Sequence, residues 1–407
     1  MSALMEKLVP DTQAPDDGGF GLARRKALKV LMQHGFPQRK TEHWKYTPLA
    51  LLEKRALQGP IAQQGERPPA PPALPFATGL VHLHNGVLDP DRSDLPSGVT
   101  LVAMLPEDIH FSELDDSGPA HAFAWLNIAR FAEAWRIGVE PGLECRLAVV
   151  MSFDDGFSGV VHPRLKLELG EAATVTLVES QQGRGEGLCN RVFDIELATR
   201  SRLTHGIERA SAGAAMIDRT VIDVGRDADY RAYVLDGGGP LTRQDLIVNL
   251  GHANAHGSIC GVAILHDRSL VDYHTAIEHR VGPSTSAEDF RILADDQAVG
   301  VFNGRIHILP GADDSHSTMN TGNLLLSENA RINTKPELEI HAEDVTASHG
   351  ATIGQLDDLA RFYLRSRGLD DNQAISLLKY GFAAAVFDEL PEGDLRDWMI
   401  EQLRKRL

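Results

Sequence analysis

The stretch TVIDVGRDADYRAYVLDGGG, Thr220 to Gly239, has two strand-length arms of apolar–polar alternation separated by a glycine-led turn. The texture recurs in LKLELGEAATVTLVES (165–180), FDIELATRSRLTHGIERA (193–210) and DLIVNLGHANAHGSICGVAIL (245–265). Aligning the residue that ends each first arm gives Leu169, Leu197, Val224, Leu250, Val281 and Leu309, with successive differences of 28, 27, 26, 31 and 28. A strand–turn–strand unit at that period, with no helical pattern between units, is what coils stacked in a solenoid produce. The expected fold is therefore mainly β, with a right-handed parallel β-helix core over 144–356. An antiparallel sandwich also yields short strands and frequent turns, and the period alone leaves it open.

Outward from this core the pattern changes. In the N-terminal region, 1–57, LARRKALKVLMQHG spaces Leu22, Ala27, Leu28, Val30 and Leu31 as a helix, and Gly35 is the expected stop. The proline density of 58–76 reads as an extended linker. A mixed α/β segment, 77–143, leads into the core and includes the helical stretch AHAFAWLNIARFAEAWRIG, with Phe123, Leu126, Ile128, Phe131 and Trp135 on a candidate buried face. After the core, 357–407 is a C-terminal helical domain. There Asp370 or Asp371 can cap a helix that carries Ala374, Ile375, Leu378 and Phe382 on one side. The tail could cap the solenoid, but its apolar content exceeds that need and also suits a partner.

A net charge of −17 argues against nucleic acid or an anionic membrane recognised through a global field. Cys145, Cys189 and Cys260 are far apart with no CxxC pair, so no disulfide framework or thiolate metal site is written in the chain, and a reducing cytoplasm is expected. No apolar run reaches the ~18 residues of a membrane span, and the first residues lack the apolar segment of a signal peptide.

Chemistry-bearing motifs are few. GxxxxGK[ST], GxSxG, HExxH and an EF-hand loop are all missing, so ATP hydrolysis by this chain is not expected. Acid pairs occur at Asp295–Asp296, Asp313–Asp314 and Glu343–Asp344, and a polysaccharide lyase or hydrolase is the enzyme reading they permit. Neighbours on one strand point to opposite faces, however, and turn acids are the simpler explanation. Histidines His307, His316, His341 and His349 fall in the last units, where composition alone does not separate ligand from packing.

SAEDFRILADD (286–296), VFNGRIHILPGA (301–312), NLLLSENARINTKPELEIHAEDVTASHGATIGQLD (323–357) and FYLRSRGL (362–369) together resemble the SufB/SufD family of the SUF iron–sulphur cluster assembly machinery. GFPQRKTEHWKYTPL (35–49) and the pair His349–Gly350 resemble its SufD branch. The resemblance implies helices flanking a parallel β-helix and a non-catalytic scaffold that forms a heterodimer with a SufB-type chain. It also implies C-terminal helices that dock a SufC-type ABC ATPase, with Leu364, Leu377, Leu378, Phe382 and Phe387 as candidate docking positions. His349 then matches a histidine at the SufB-facing interface and is the candidate ligand for a transient cluster shared with SufB, none being tightly bound to this chain alone. A purely structural partner that offers no ligand is the alternative. Where many SufD-type chains carry a cysteine two residues earlier, Ala347 stands here, so thiolates would come mainly from SufB. No flavin motif is present. The isolated chain could form a homodimer through a sheet edge.

Overall fold

The computed structural model describes residues 3–11, 19–58, 74, 76–109, 111, 114, 117–183, 185–209 and 213–407. Of the linker expected at 58–76, residues 59–73 and 75 lie outside the described residues. The strands run in chain order as β1 (Gly79–His84), β2 (Val87–Leu88), β3 (Val99–Ala103), β4 (Ala134–Val139), β5 (Glu144–Ser152), β6 (Val160–Val161), β7 (Arg164–Leu169), β8 (Thr174–Gln182), β9 (Leu188–Leu197) and β10 (Arg202–Arg209). They continue as β11 (Ala215–Val224), β12 (Asp229–Asp236), β13 (Thr242–Leu250), β14 (Ala255–Leu265), β15 (Leu270–His279), β16 (Ser284–Ala294), β17 (Val299–Ile308), β18 (Ser315–Leu325), β19 (Arg331–Ile340) and β20 (Val345–Gly354).

Two sheets result, one ordered β2-β1-β5-β8-β10-β12-β14-β16-β18-β20 and the other β19-β17-β15-β13-β11-β9-β7-β4-β3, with β6 on β9. From β7 onward each odd strand enters the second sheet and the next even strand the first. Each such pair is one coil, and the ladders joining the coils are parallel. The parallel pairing removes the sandwich and leaves a parallel β-solenoid.

Register explains the repeat and corrects it. Leu169, Leu197, Val224 and Leu250 are stacked partners, but the next rungs are His279, Ile308 and Ile340, not Val281 and Leu309. Differences of 28, 27 and 26 are followed by 29, 29 and 32 (279 − 250, 308 − 279, 340 − 308). An apolar criterion steps over His279, which is buried and bonds Ser284 at 2.8 Å and Ser286 at 2.9 Å.

Alternation along the strands turns one face of each inward. Leu167, Ile195, Ile222, Val248, Ile277 and Ile306 form one continuous interior column, each at most 1 % exposed. Burying each of these side chains stabilises the coil by roughly 1.5–3 kcal/mol. The tight turns stack as well. Ala172, Arg200 and Asp227 each adopt positive φ at the third turn position, and each donates its N–H to the next turn, reaching Thr199, Arg226 and Ala253 carbonyls respectively.

The outer flank of the second sheet is covered by α1 (Ala3–Leu8), α2 (Gly21–His34), α3 (Ala50–Lys54) and α4 (Ala122–Arg130), which share a core with Leu188, Ala215, Ile217 and Leu241. Gly35 ends α2 as expected, at φ 72°, donating to the Leu31 carbonyl. The helix expected over 120–138 is corrected: α4 stops at Arg130, Phe131 turns extended, and AWRIGV is strand β4. α4 is buried along nearly its whole length, so its apolar pattern runs straight into that of a buried strand.

After β20 come α5 (Asp358–Ser366), α6 (Asp371–Ala384) and α7 (Asp394–Arg404). Asp370 caps α6 through a capping box with Gln373. α6, α7 and the turn between them lie along the outer flank of the first sheet, where Ala383, Val386, Phe387, Leu390, Met399 and Leu403 meet Val178, Tyr233, Leu235, Val262 and Leu293. The tail therefore clads a side of the solenoid instead of plugging its end.

Candidate functional site

The two ends of the solenoid differ. At the N-terminal end β2 and β3 pair antiparallel to β1 and β4 and close the first coil. At the other end β19 pairs with β17 and β20 with β18, and among the described residues no strand pairs with their outer edges. Open strand edges are templates for another chain. Ile332, Leu338, Val345 and Ala347 are only partly buried there, so the last coil also leaves core-type side chains half covered.

His349 is on β20, and its partner in register is Met319, which is fully buried in the solenoid interior. It therefore shares the inward face, at the end of the column Leu147–Leu177–His205–Ala232–Ile259–Glu288–Met319–His349. The ring is exposed because no described residue forms the next rung. Ala347 lies on the same face above Ser317, which hydrogen-bonds Ser286 at 2.6 Å. An exposed imidazole at this position can accept a metal ion.

The three thiols do not join it. Cys145, Cys189 and Cys260 are buried, and burial pushes the Cys145 and Cys260 thiols up to about 11 and about 12. Cys189 moves in the same direction through burial and the Asp218 charge. Thiols held protonated in this way are poor metal ligands at neutral pH.

The acid pairs belong to turns. Asp296 has positive φ and its carboxylate accepts the Asp267 N–H at 2.9 Å, while Asp313 accepts the Glu343 N–H at 3.2 Å and Asp314 has positive φ. These bonds stitch successive turns, a sufficient reason for acids in that pattern.

The candidate docking residues divide. Leu364, Leu378 and Phe382 are half-buried, and Phe382 lies under the Arg291 guanidinium at 5.2 Å. Leu377 is exposed. Phe387 is fully buried against the first sheet, so it attaches the tail and is not free to meet a partner. Leu364 is on α5, but the sequence reading missed the rest of that helix's surface: α5 buries none of its residues and exposes Leu359, Phe362 and Tyr363 at 79 %, 69 % and 56 %. Their i, i+3, i+4 spacing puts them on one stripe, a signal present in the sequence.

Also unforeseen is a charged interior. Glu179, Arg191, His205, Arg209 and Asp218 are buried and joined, with His205 on Glu179 at 2.8 Å and Arg209 on Asp218 at 2.9 Å. Burial alone would raise the Glu179 carboxyl, but the Arg191 and Arg209 charges hold it well below the usual range. The RKTEHWKYTPL segment is structural: Trp44 lies under the Arg243 guanidinium at 3.9 Å, and Thr47 bonds Asp272.

Residues 151–382, more than half of the chain, match the family model described as SUF system FeS cluster assembly, SufBD core domain. The chain belongs to the SufB/SufD family. It is 28 % identical over 395 residues to the "Iron-sulfur cluster assembly protein SufD" of Escherichia coli strain K12, covering 93 % of this chain and 91 % of that protein. It is 29 % identical over 406 residues to the "Iron-sulfur cluster assembly SufBD family protein slr0076" of Synechocystis, covering 92 % and 88 %. "Protein ABCI7, chloroplastic" of Arabidopsis thaliana is 24 % identical, covering 97 % and 88 %. No helix among the described residues is long and apolar enough to cross a membrane.

Proposed function

We propose that this chain is a SufD-type, non-catalytic scaffold subunit of iron–sulphur cluster assembly. It pairs with a SufB-type chain through the open last coil, and it offers His349 to a cluster built transiently between the two. A SufC-type ABC ATPase docks on the C-terminal helices and supplies the hydrolysis for which this chain has no P-loop. The observation that most supports this reading is the last coil, where His349 ends an interior column with no described residue stacked beyond it. A partner strand added to either edge would satisfy the open backbone groups, cover the half-buried apolar rung and bring its own side chains over His349. Buried, protonated thiols on this side leave the sulphur ligands to the partner. For the ATPase, the stripe Leu359–Phe362–Tyr363 with Leu377 replaces the part of the expected surface that Phe387 cannot supply.

The test is anaerobic co-purification of the chain with co-expressed SufB-type and ABC ATPase partners, comparing wild type with His349→Ala and assaying iron and sulphide. An intact complex that loses its iron and sulphide supports the ligand. An intact complex with a normal cluster reduces the chain to a structural partner. Recovery of the wild-type chain alone and free of iron overturns the assembly reading.

A further inference from the structure

A second group of ligand-type side chains lies on the outer flank of the last two coils, outside the interior column. His307 of β17 and Glu339 of β19 are direct register partners, so their side chains leave the same face of the second sheet side by side. Two residues beyond Glu339, His341 continues the pairing, its N–H donating to the Ile308 carbonyl at 2.8 Å. Period-two alternation keeps Glu339 and His341 on one face. One donor atom from each of the three lies within 4.8 Å of the others, and the two imidazole rings are 5.4 Å apart between centroids.

We propose that His307, Glu339 and His341 form a binding site for a first-row divalent transition-metal ion, completed by water. Two imidazoles and one carboxylate are a donor set for zinc, iron(II) or cobalt(II), and are too nitrogen-rich for calcium or magnesium. Metal–ligand bonds of ~2.0–2.2 Å place neighbouring donors about 3–3.5 Å apart, so closure needs roughly an ångström of side-chain rotation. Glu339 and His341 are exposed, so there is room for it, with Glu339 turning about its ion pair with Arg305.

A separate observation supports the site. The Glu278 carboxylate, the register partner of His307 on β15, lies 3.3 Å from His307 Nδ1. A carboxylate there, slightly closer to Nδ1 than the Arg305 N–H that competes for the same nitrogen, favours the tautomer with its proton on Nδ1 and the lone pair on Nε2, the arrangement that orients metal-binding histidines. Arg280 in turn holds Glu278 at 2.5 Å. Arg305 also contacts the group, donating to Glu339 Oε2 at 2.6 Å and approaching His307 Nδ1 at 3.4 Å. It occupies one carboxylate oxygen and leaves Oε1 for the ion. The site opens at the rim of a cleft of about 430 Å³ lined also by His43, His274 and Asn303, which gives the ion a solvent path.

Unlike the cluster proposed at His349, this site needs no second chain, so it can be tested on the isolated protein. Full-length protein without a histidine tag, stripped with EDTA, would be titrated with cobalt(II) chloride at pH 7.5, reading d–d absorption and, by equilibrium dialysis, stoichiometry. The expected result is one cobalt per chain with four- or five-coordinate absorption. His341→Ala and His307→Ala should each weaken it at least ten-fold, and Glu278→Gln should weaken it by about ten-fold without abolishing it. His316→Ala, at an exposed histidine of β18, should leave it unchanged. All four positions are on the surface or half-buried, and far-ultraviolet circular dichroism verifies that each variant is folded. No cobalt uptake by the wild type at ~1 mM, or undiminished uptake by a His307→Ala/His341→Ala double variant, overturns the proposal. Because the readout involves neither partner nor cluster, failure here leaves the assembly reading standing, and the converse holds.

Discussion

Glu288 is the residue at which the interior of the solenoid should report on pH. It lies two rungs from the open end in the column that His349 terminates, is 1 % exposed, and neither carboxylate oxygen makes a well-formed hydrogen bond among the described residues. Burial raises its carboxyl from 4.5 to about 7, the nearby Thr275 hydroxyl offsetting only part of that rise. The folded protein therefore binds this proton more tightly than the unfolded chain. The resulting stability is fully present below the unfolded value of 4.5, declines as pH rises, and is lost once pH passes about 7. At 1.36 kcal/mol per unit, the full span is roughly 3 kcal/mol, of which about 2–3 kcal/mol falls between pH 5 and 8. Glutamine has nearly the shape of the protonated acid and does not titrate. Urea unfolding of wild type and Glu288→Gln at pH 5, 6, 7 and 8 should give a stability difference that moves in favour of the variant by that amount across the range. Any fixed cost of the amide shifts all four points equally and cancels in the comparison. A difference that changes by less than about 1 kcal/mol would refute the burial argument, since every other titrating group is common to both proteins.

The two faces of the tail should respond differently. Phe387→Ala empties a fully buried site and should cost about 3–5 kcal/mol, read as a lower urea midpoint or earlier proteolysis of the C-terminal helices. Phe362→Asp should leave the midpoint within about 0.5 kcal/mol yet reduce capture of the co-expressed ATPase, and unchanged capture would remove α5 from the docking surface. Asp370→Ala removes the α6 capping box and should lower stability by about 1 kcal/mol. Gly183→Ala should destabilise by at least ~1–3 kcal/mol, since φ is +97° and a Cβ would sit 2.2 Å from the Phe153 carbonyl oxygen.

The architecture was legible where turns are uniform. Gly170–Ala173, Ala198–Ser201 and Gly225–Ala228 are all four-residue turns with the third residue at positive φ, so the coils they join keep nearly constant length and the apolar anchors align. The anchors slipped at His279 because pattern reading treats an interior position as apolar, whereas this histidine is buried by bonding two serines that stand on the next strand. The face of His349 follows from alternation alone, since Ala347 and His349 are two residues apart on one strand. The partnership of His307 with Glu339 does not. The 32 positions between them exceed the 26 to 29 of the earlier coils, and only the ladder shows that they are opposite one another. Burial of Phe387 was equally hidden, because helical spacing identifies an apolar stripe without saying whether the protein's own flank or another molecule covers it.

Within one chain the solenoid separates two kinds of surface by what each lacks. The flanks of the earlier coils are covered from within: the N-terminal helices bury the second sheet, and α6 and α7 bury the first. Among the described residues, coverage fails at the last coil, where β19 and β20 keep open edges and half-buried core residues, and at α5, which buries none of its residues. These two places are joined by only a few residues, since α5 begins at Asp358, four positions after β20 ends. A partner that grips α5 therefore pulls on the strand carrying His349 through a short, nearly direct connection. Under the docking proposed above, force from an ATPase held at α5 would reach the open edge before it reached the packed coils beneath. Lengthening the 355–357 connection by a flexible Gly–Ser–Gly–Ser insert should then leave both partners bound while uncoupling ATP hydrolysis from cluster formation. Equal cluster yield per ATP in the inserted and native chains would show that the connection transmits nothing.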